Sequence, residues 1–323
     1  DCVDSMDSME SMRFHGFHAL HGSHGFHGLL GFHGFHASCL LLENKCFLTI
    51  DFEDFSHDFK RSVLNEKNPS INKKAILESY NYIKNFLLKF NNIKITFFCT
   101  GILAEKYPDI ISMISNDGHE IACHYYYHDD VYKEGINNFE ENLRKAVFYL
   151  KKASNQKISG FRAPKFSVNM NNIEHYKIIN KYFKYDSSLN TLDMKKVLEF
   201  KKINKLNNLT FFPVPTFSIF KKIKYKAGGT FFKFFPFLLT NFLLIKSIKN
   251  EIVPVVYIHP YEFSNGKNFR IPLKEIKLPL LNKFYWSLRQ AQWLNFMNFT
   301  TYNKLIKLKK KYKFAGTLRK FIV

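Results

Sequence analysis

"ITFFCTGILAEKYPDIISMISNDGHEIACH", residues 95–124, runs from one apolar strand pattern through a helical one into a second strand pattern. ITFFCT is uncharged and rich in β-branched and aromatic residues, the composition of a buried strand. GILAEKYPDIISMISNDG spaces its apolar residues for a helix, with Gly118 as its stop. HEIACH then opens another apolar run. Two strands joined by a helical crossover form the unit of a parallel sheet.

The same alternation extends in both directions. Upstream, CFLTI reads as a strand and KKAILESYNYIKNFLLKF as a helix. Downstream come the helix NNFEENLRKAVFYLKKA, the strand ISGFRA, the helix NNIEHYKIINKY and the strand FKYDSS. A late apolar run, VPVVYIHPYEF, reads as a further strand. Strand and helix in turn predict an α/β fold with helices outside a parallel sheet, in which chemistry collects at the C-terminal strand ends.

Those ends carry unusual residues. TIDFEDFSHDF offers Asp51, Glu53 and Asp54; HEIACHYYYHDD offers His124 and His128; FRAPKF offers Arg162; YIHPYEF offers His259. At a spacing of four, His124 and His128 would share one helical face and could share one ion, given a third ligand from elsewhere. Each residue alone has an ordinary role as a cap, a surface ion pair or a loop histidine. Their recurrence at successive strand ends is what singles them out. Ser56, His57 and Asp58 are consecutive, so their side chains diverge and cannot form a nucleophile–base–orienter set, although His57 could border the pocket.

Composition narrows the classes. The chain has 323 residues, 46% of them hydrophobic, enough for one large α/β domain or two small ones. The formal charge is +21, yet only seven of the 48 basic residues are Arg. Specific nucleic-acid readers favour Arg, and no nucleic-acid motif occurs, so a specific nucleic-acid partner is not expected. The densest basic stretch, NKLIKLKKKYKFAGTLRK, has no acid and suits an anionic membrane surface or a charged glycan. In it Leu305, Ile306 and Leu308 are expected to dock on the fold while the lysines face outward. FFKFFPFLLTNFLLIK, from Phe231, is interrupted by Lys233 and Pro236 and too short to span a bilayer, leaving a core helix or a membrane-surface loop. The five cysteines form no CxxC pair, and Cys46, Cys99 and Cys123 read as buried thiols of a reducing compartment. With no signal-peptide pattern recognised, a cytoplasmic location is expected, peripheral at the inner membrane face. Residues 1–44, with a three-residue His/Gly/Phe repeat, read as a low-complexity extension outside the fold.

The ordered segments resemble the polysaccharide deacetylase family, the metal-dependent carbohydrate esterases of the chitooligosaccharide-deacetylase homology type. LTIDFEDF, the run 95–124, GFRAPKFSV, YDSSL and YIHPYEF resemble its five motifs in order, over roughly residues 45–320. GGTFFKFFP and the basic tail are similar to the subgroup associated with exopolysaccharide biosynthesis. The resemblance implies an irregular, incomplete (β/α) barrel, with a catalytic domain at 45–263 and a C-terminal extension at 264–323 packed on it. It implies hydrolysis of N-acetyl groups from an N-acetylated glycan, free or lipid-linked. It also implies one divalent ion, Zn2+ first and Co2+, Ni2+ or Mn2+ as alternatives, held by His124, His128 and a carboxylate.

By position, Asp51 resembles the general base, Arg162 its partner, His259 the general acid, and Asp186 a residue that tunes His259. The backbone N–H of Lys165 resembles an oxyanion-hole donor, and Phe166 with Tyr125 to Tyr127 would wall the sugar site. The carboxylate ligand is either Glu53 or Asp54: strand alternation puts Glu53 on the side of Asp51, whereas a bulge would admit Asp54. The competing classes are hydrolysis of another non-peptide C–N bond and a non-catalytic glycan or membrane-surface binder.

Overall fold

The computed structural model describes residues 44–219, 223–263 and 266–322. The repeat within residues 1–38, with Cys2 and Cys39, lies outside them. The central sheet is parallel throughout and eight-stranded. β1 (Lys45–Phe52) is followed in space by β2 (Thr96–Cys99), β3 (Glu120–Cys123), β4 (Gly160–Phe161), β5 (Tyr185–Asp186) and β6 (Thr210–Phe211). An antiparallel hairpin, β7 (Thr216–Ile219) and β8 (Ile223–Lys226), follows. β9 (Val255–Ile258) and β10 (Lys313–Phe314) both return to β1. The sheet curls without closing, giving an irregular, incomplete (β/α) barrel.

Alternation along the strands divides the core in two. Leu48, Ile50 and Phe52 of β1 point outward to the helices and join the large apolar cluster. Phe47 points inward, to an interior cluster with Phe98, Ala122, Tyr185, Val255, Tyr257 and Leu318. Gly160 belongs to this interior face: a Cβ there would lie 1.9 Å from the Tyr185 ring. The missing side chain lets β4 and β5 close over Tyr185, whose hydroxyl donates to Glu120.

The helices follow their apolar spacing. Ile136–Ser154 buries Phe139, Leu143, Ala146 and Leu150 along one stripe and ends at Asn155 in the left-handed region. The run 101–118 departs from the single helix its periodicity predicts and forms two, Gly101–Lys106 and Pro108–Asn116. Pro108 lacks an N–H and disfavours helical angles at Tyr107, which takes φ −136° and ψ 65°. Proline likewise breaks the apolar segment from Phe231 into helices Gly229–Phe234 and Phe237–Lys249, and among the described residues no helix is long and apolar enough to cross a membrane.

The C-terminal segment is woven into the fold. Helix Asn298–Lys311 buries Leu305 and Leu308, Ile306 is half-buried against the core, and Lys307, Lys310 and Lys311 are exposed. Beyond it Leu318 N–H donates to Thr96 Oγ1 and Arg319 N–H to Glu120 Oε2, at the end of the barrel opposite the reactive strand ends.

His119 begins the approach to β3 almost fully buried, its Nδ1 accepting from Ile95 N–H at 3.3 Å. Burial, aided by the charge of Lys94, lowers its pKa to about 4. An unfolded histidine titrates near 6.5, so the unfolded chain binds this proton first and native stability falls as pH drops from about 6.5 toward 4. In His119→Asn the Oδ1 can replace Nδ1 as acceptor without titrating. Denaturation midpoints measured from about pH 7 to pH 4.5 should therefore fall less steeply in this variant than in the parent; equal slopes would remove His119 from the account.

Candidate active site

The sheet register aligns the reactive residues. Phe52, Cys99, Cys123, Phe161 and Asp186 pair across successive strands, so the rim residues Glu53, His124, Arg162 and Ser187 follow on one level. On the other side Ile50 pairs with Ile258, which places Asp51 level with His259. Thr49, Asp51, Glu53, His124, Arg162 and His259 all share the inward parity of the interior cluster.

Glu53 is buried, with Oε2 2.6 Å from His128 Nε2 and 3.4 Å from His124 Nε2. One ligand atom from each residue lies within 4.8 Å of the other two. His124 Nδ1 donates to the Arg162 carbonyl at 2.7 Å, which orients the ring and turns Nε2 toward Glu53. His128 Nδ1 lies 3.1 Å from Asp58 Oδ2. Burial works against both charges of the Glu53–His128 pair. The charge of His128 nevertheless holds the Glu53 carboxyl well below its usual range, and Glu53 with Asp58 pushes His128 up to about 10. Among the described residues, buried Glu53 Oε2 has no hydrogen-bond donor of acceptable geometry. One carboxylate and two imidazoles around such an oxygen form a donor set that fits a borderline divalent ion.

Asp54, the alternative ligand, points outward. Its Oδ1 accepts from Ser56 N–H at 2.9 Å and Ser56 Oγ at 2.6 Å, capping helix Phe55–Ser62, and Oδ2 accepts from Asn72 N–H at 2.6 Å. The strand keeps its register to Phe52, so alternation turns Glu53, and not Asp54, toward the histidines.

Asp51 Oδ1 accepts from Arg162 Nη1 at 2.5 Å. The same nitrogen donates to Thr49 Oγ1 at 2.9 Å, and Nη2 donates to Ser187 Oγ at 2.8 Å. His259 Nε2 stands 4.0 Å from Glu53 Oε1, and its ring stacks on Tyr261. Burial would lower its pKa, but the charge and hydrogen bond of Glu262, 3.3 Å from Nδ1, raise it with help from Glu53 and Asp51.

Asp186 lies elsewhere. It follows Tyr185 in β5 and therefore faces the helices, where it accepts from Ser188 and Tyr176; burial pushes its pKa up to about 6 despite those bonds. The acid that meets His259 is Glu262, three residues on in HPYEF, and the residue from YDSSL that reaches the rim is Ser187.

His124 and His128 do not share a helix. The chain leaves β3 at Cys123, and Tyr125 takes φ +65°, turning it into a loop. Tyr125 and Tyr126 are core residues, almost fully buried, with hydroxyls donating to Glu134 and Glu105. Tyr127 lies beneath Arg61 and stacks on His57, with which it lines a separate cleft. Phe166 does line the reactive pocket, a cavity of about 340 Å³ that also includes Lys165, Lys226, Tyr257, Trp286 and Trp293. Lys165 and Phe166 both adopt positive φ, near 55°, and Lys165 Nζ pairs with Asp58 at 3.2 Å. Two adjacent left-handed residues are strained, a hallmark of functional loops.

Asp58, Lys226, Trp286, Trp293 and Glu262 were not singled out for the site from the sequence. Only Glu262 carried a local signal, since a helix beginning after His259 brings its third residue back to the histidine's own N–H.

Residues 79–180 match the family model described as polysaccharide deacetylase, and residues 188–317 match a domain of unknown function, DUF3473. A peptidoglycan-N-acetylglucosamine deacetylase of Bacillus cereus is 40% identical over 72 residues, covering 20% of this chain and 26% of that protein; the match spans about a quarter of the relative's length. Among solved structures, a family 4 carbohydrate esterase pseudoenzyme from Bacillus anthracis aligns at 15% identity and a TM-score of 0.45, covering 87% of this chain and 66% of that one. A polysaccharide deacetylase from Mycobacterium smegmatis aligns at 16% identity with the same TM-score, covering 84% and 92%. With that model matched over residues 79–180 and DUF3473 following over residues 188–317, the chain carries a polysaccharide deacetylase domain.

Proposed function

We propose that the protein is a metal-dependent hydrolase that removes N-acetyl groups from an N-acetylated sugar of a polysaccharide or its precursor. The observation that carries this reading is the buried Glu53 Oε2 facing Nε2 of His124 and His128, with the Asp51–Arg162 pair and His259 in the same inward row. Glu53, His124 and His128 would hold one divalent ion, Zn2+ by donor type and Co2+, Ni2+ or Mn2+ as alternatives. Bound there, it supplies Lewis-acid polarisation and an acidified water.

The protein's own groups divide the proton transfers. Asp51 accepts the proton of the attacking water, and Arg162 keeps it aimed. His259 donates a proton to the leaving amine nitrogen, with Glu262 as its positioning partner. The Lys165 backbone N–H, in the strained turn beside the pocket, stabilises the developing oxyanion. Phe166, Tyr257, Trp286 and Trp293 supply apolar walls for the sugar faces. GGTFFKFFP and the basic tail extend the reading to an exopolysaccharide precursor, including a lipid-linked one.

Acetate release from a panel of N-acetylated oligosaccharides, using metal-stripped protein resupplied with Zn2+, Co2+, Ni2+ or Mn2+, is the direct test. The reading expects release that depends on the added ion; none from any oligosaccharide with any ion would end it. Glu53→Gln should lose stoichiometric metal binding, whereas Asp54→Ala should keep the ion and lose only stability, by about 1 kcal/mol as for a lost helix cap. Metal titration and denaturation separate the two. Asp51→Asn should retain the ion and lose activity by about 10² or more. For Glu262→Gln, kcat should fall with KM and metal content unchanged, and a change in KM alone would make it a binding residue instead.

A further inference from the structure

Helix Leu280–Leu294 buries Leu294 but leaves a row of apolar side chains outside. Ser287 and Gln290 are buried, and the Gln290 side chain exchanges hydrogen bonds with the backbone of Ile271. Leu280, Leu281, Phe284, Tyr285 and Leu288 are exposed, Leu281 to 83% and Leu288 to 73%. Positions i, i+1, i+4, i+5 and i+8 lie on one side of a helix, so these side chains form a continuous apolar stripe. The stripe runs on past the helix end into an open groove of about 650 Å³, where Leu288 meets Phe234, Phe296 and Phe299. Phe296 and Phe299 are themselves largely exposed. Scattered exposed leucines need no explanation, but a contiguous patch of this kind marks an interaction surface.

Charge selects the occupant. From Ile276 to Val323 the sequence has eleven Lys or Arg residues and no Asp or Glu. Lys277 leads into the stripe's helix, Lys283 and Arg289 lie on it, and Lys307, Lys310 and Lys311 are exposed on the following helix. Two copies of the chain pairing through this face would bring like charges together. An anionic bilayer meets both properties, taking the leucines and phenylalanines at the acyl boundary and the lysines among headgroup phosphates. We propose that the stripe from Leu280 to Leu288, with Phe296 and Phe299, is a docking face for an anionic membrane surface. The contact differs from one made by the basic tail alone, because it requires apolar insertion. Trp286 and Trp293 of the same helix line the reactive pocket, so docking sets that pocket beside the headgroups; only this consequence rests on the deacetylase reading.

The test is co-flotation of the full chain, without substrate, with vesicles of phosphatidylcholine containing about 30% phosphatidylglycerol, at about pH 8, above the ordinary histidine pKa of about 6.5. The parent should float with these vesicles and much less with phosphatidylcholine alone. Leu281→Ser with Leu288→Ser should weaken binding at least about tenfold at low salt, since each serine removes the apolar part of the insertion. Acetate release from a soluble oligosaccharide and the unfolding midpoint should match the parent. Binding that is equal in parent and variant, and abolished by salt in both, would reduce the contact to electrostatics and overturn the docking face. So would absence of vesicle binding in the parent, a parent dimer that the double variant dissociates, or a lower unfolding midpoint in the variant, which would mean that protein already covers the stripe. Failure of acetate release with vesicle binding intact would sink the enzyme reading and leave the docking face standing.

Discussion

Arg162 is the residue on which the rim depends. Its guanidinium is fully buried, and a buried charge is tolerated only when it is paired and its donors are occupied. Here Asp51 supplies the opposite charge, Thr49 and Ser187 occupy further donors, and the Phe98 ring lies 4.1 Å from the guanidinium carbon. Those partners sit on β1, β2 and just after β5, so one side chain from the end of β4 ties four strands together. Its backbone takes part as well: Arg162 N–H donates to Cys123, and its carbonyl orients the His124 ring. The carboxylate proposed as base and an imidazole proposed as ligand are thus oriented by the same residue.

Much of this was legible in the sequence because it follows from a period of two. Apolar runs ending in Asp, His or Arg identify parallel strands with reactive ends, and alternation assigns Glu53 inward with Asp51 and Asp54 outward. Applied to FKYDSS, the same rule places Asp186 with the helices once Tyr185 is known to face the interior, and the sequence alone does not say which of the two points inward. The inner strands β4 and β5 are only two residues long, too short for periodicity to decide. Loops were less legible still. His124 and His128 have helical spacing, but the left-handed turn at Tyr125 makes that spacing incidental. Asp58 reaches His128 from a different strand end, and Trp286 and Trp293 return to the pocket more than two hundred residues after Glu53, so no local pattern announces them.

The aromatic run between the two histidines illustrates how the loop acquires its shape. A left-handed, non-glycine residue costs about 1–2 kcal/mol, so Tyr125 needs compensation. Its carbonyl and that of Tyr126 accept from the N–H groups of Gly101 and Ile102, the first turn of helix Gly101–Lys106, at 2.8 and 3.0 Å. Helix N-termini leave such donors unpaired, and partial positive charge there favours a facing carbonyl. Gly101 permits the approach, because a Cβ would lie 2.9 Å from the Tyr126 ring and 2.6 Å from Ala146 Cα. Below, the two rings bury themselves and end in hydrogen bonds to Glu134 and Glu105. Tyr125 and Tyr126 therefore contribute by anchoring the turn: with the backbone between the histidines held by a helix end and two buried rings, both imidazoles reach Glu53 with little freedom left to lose.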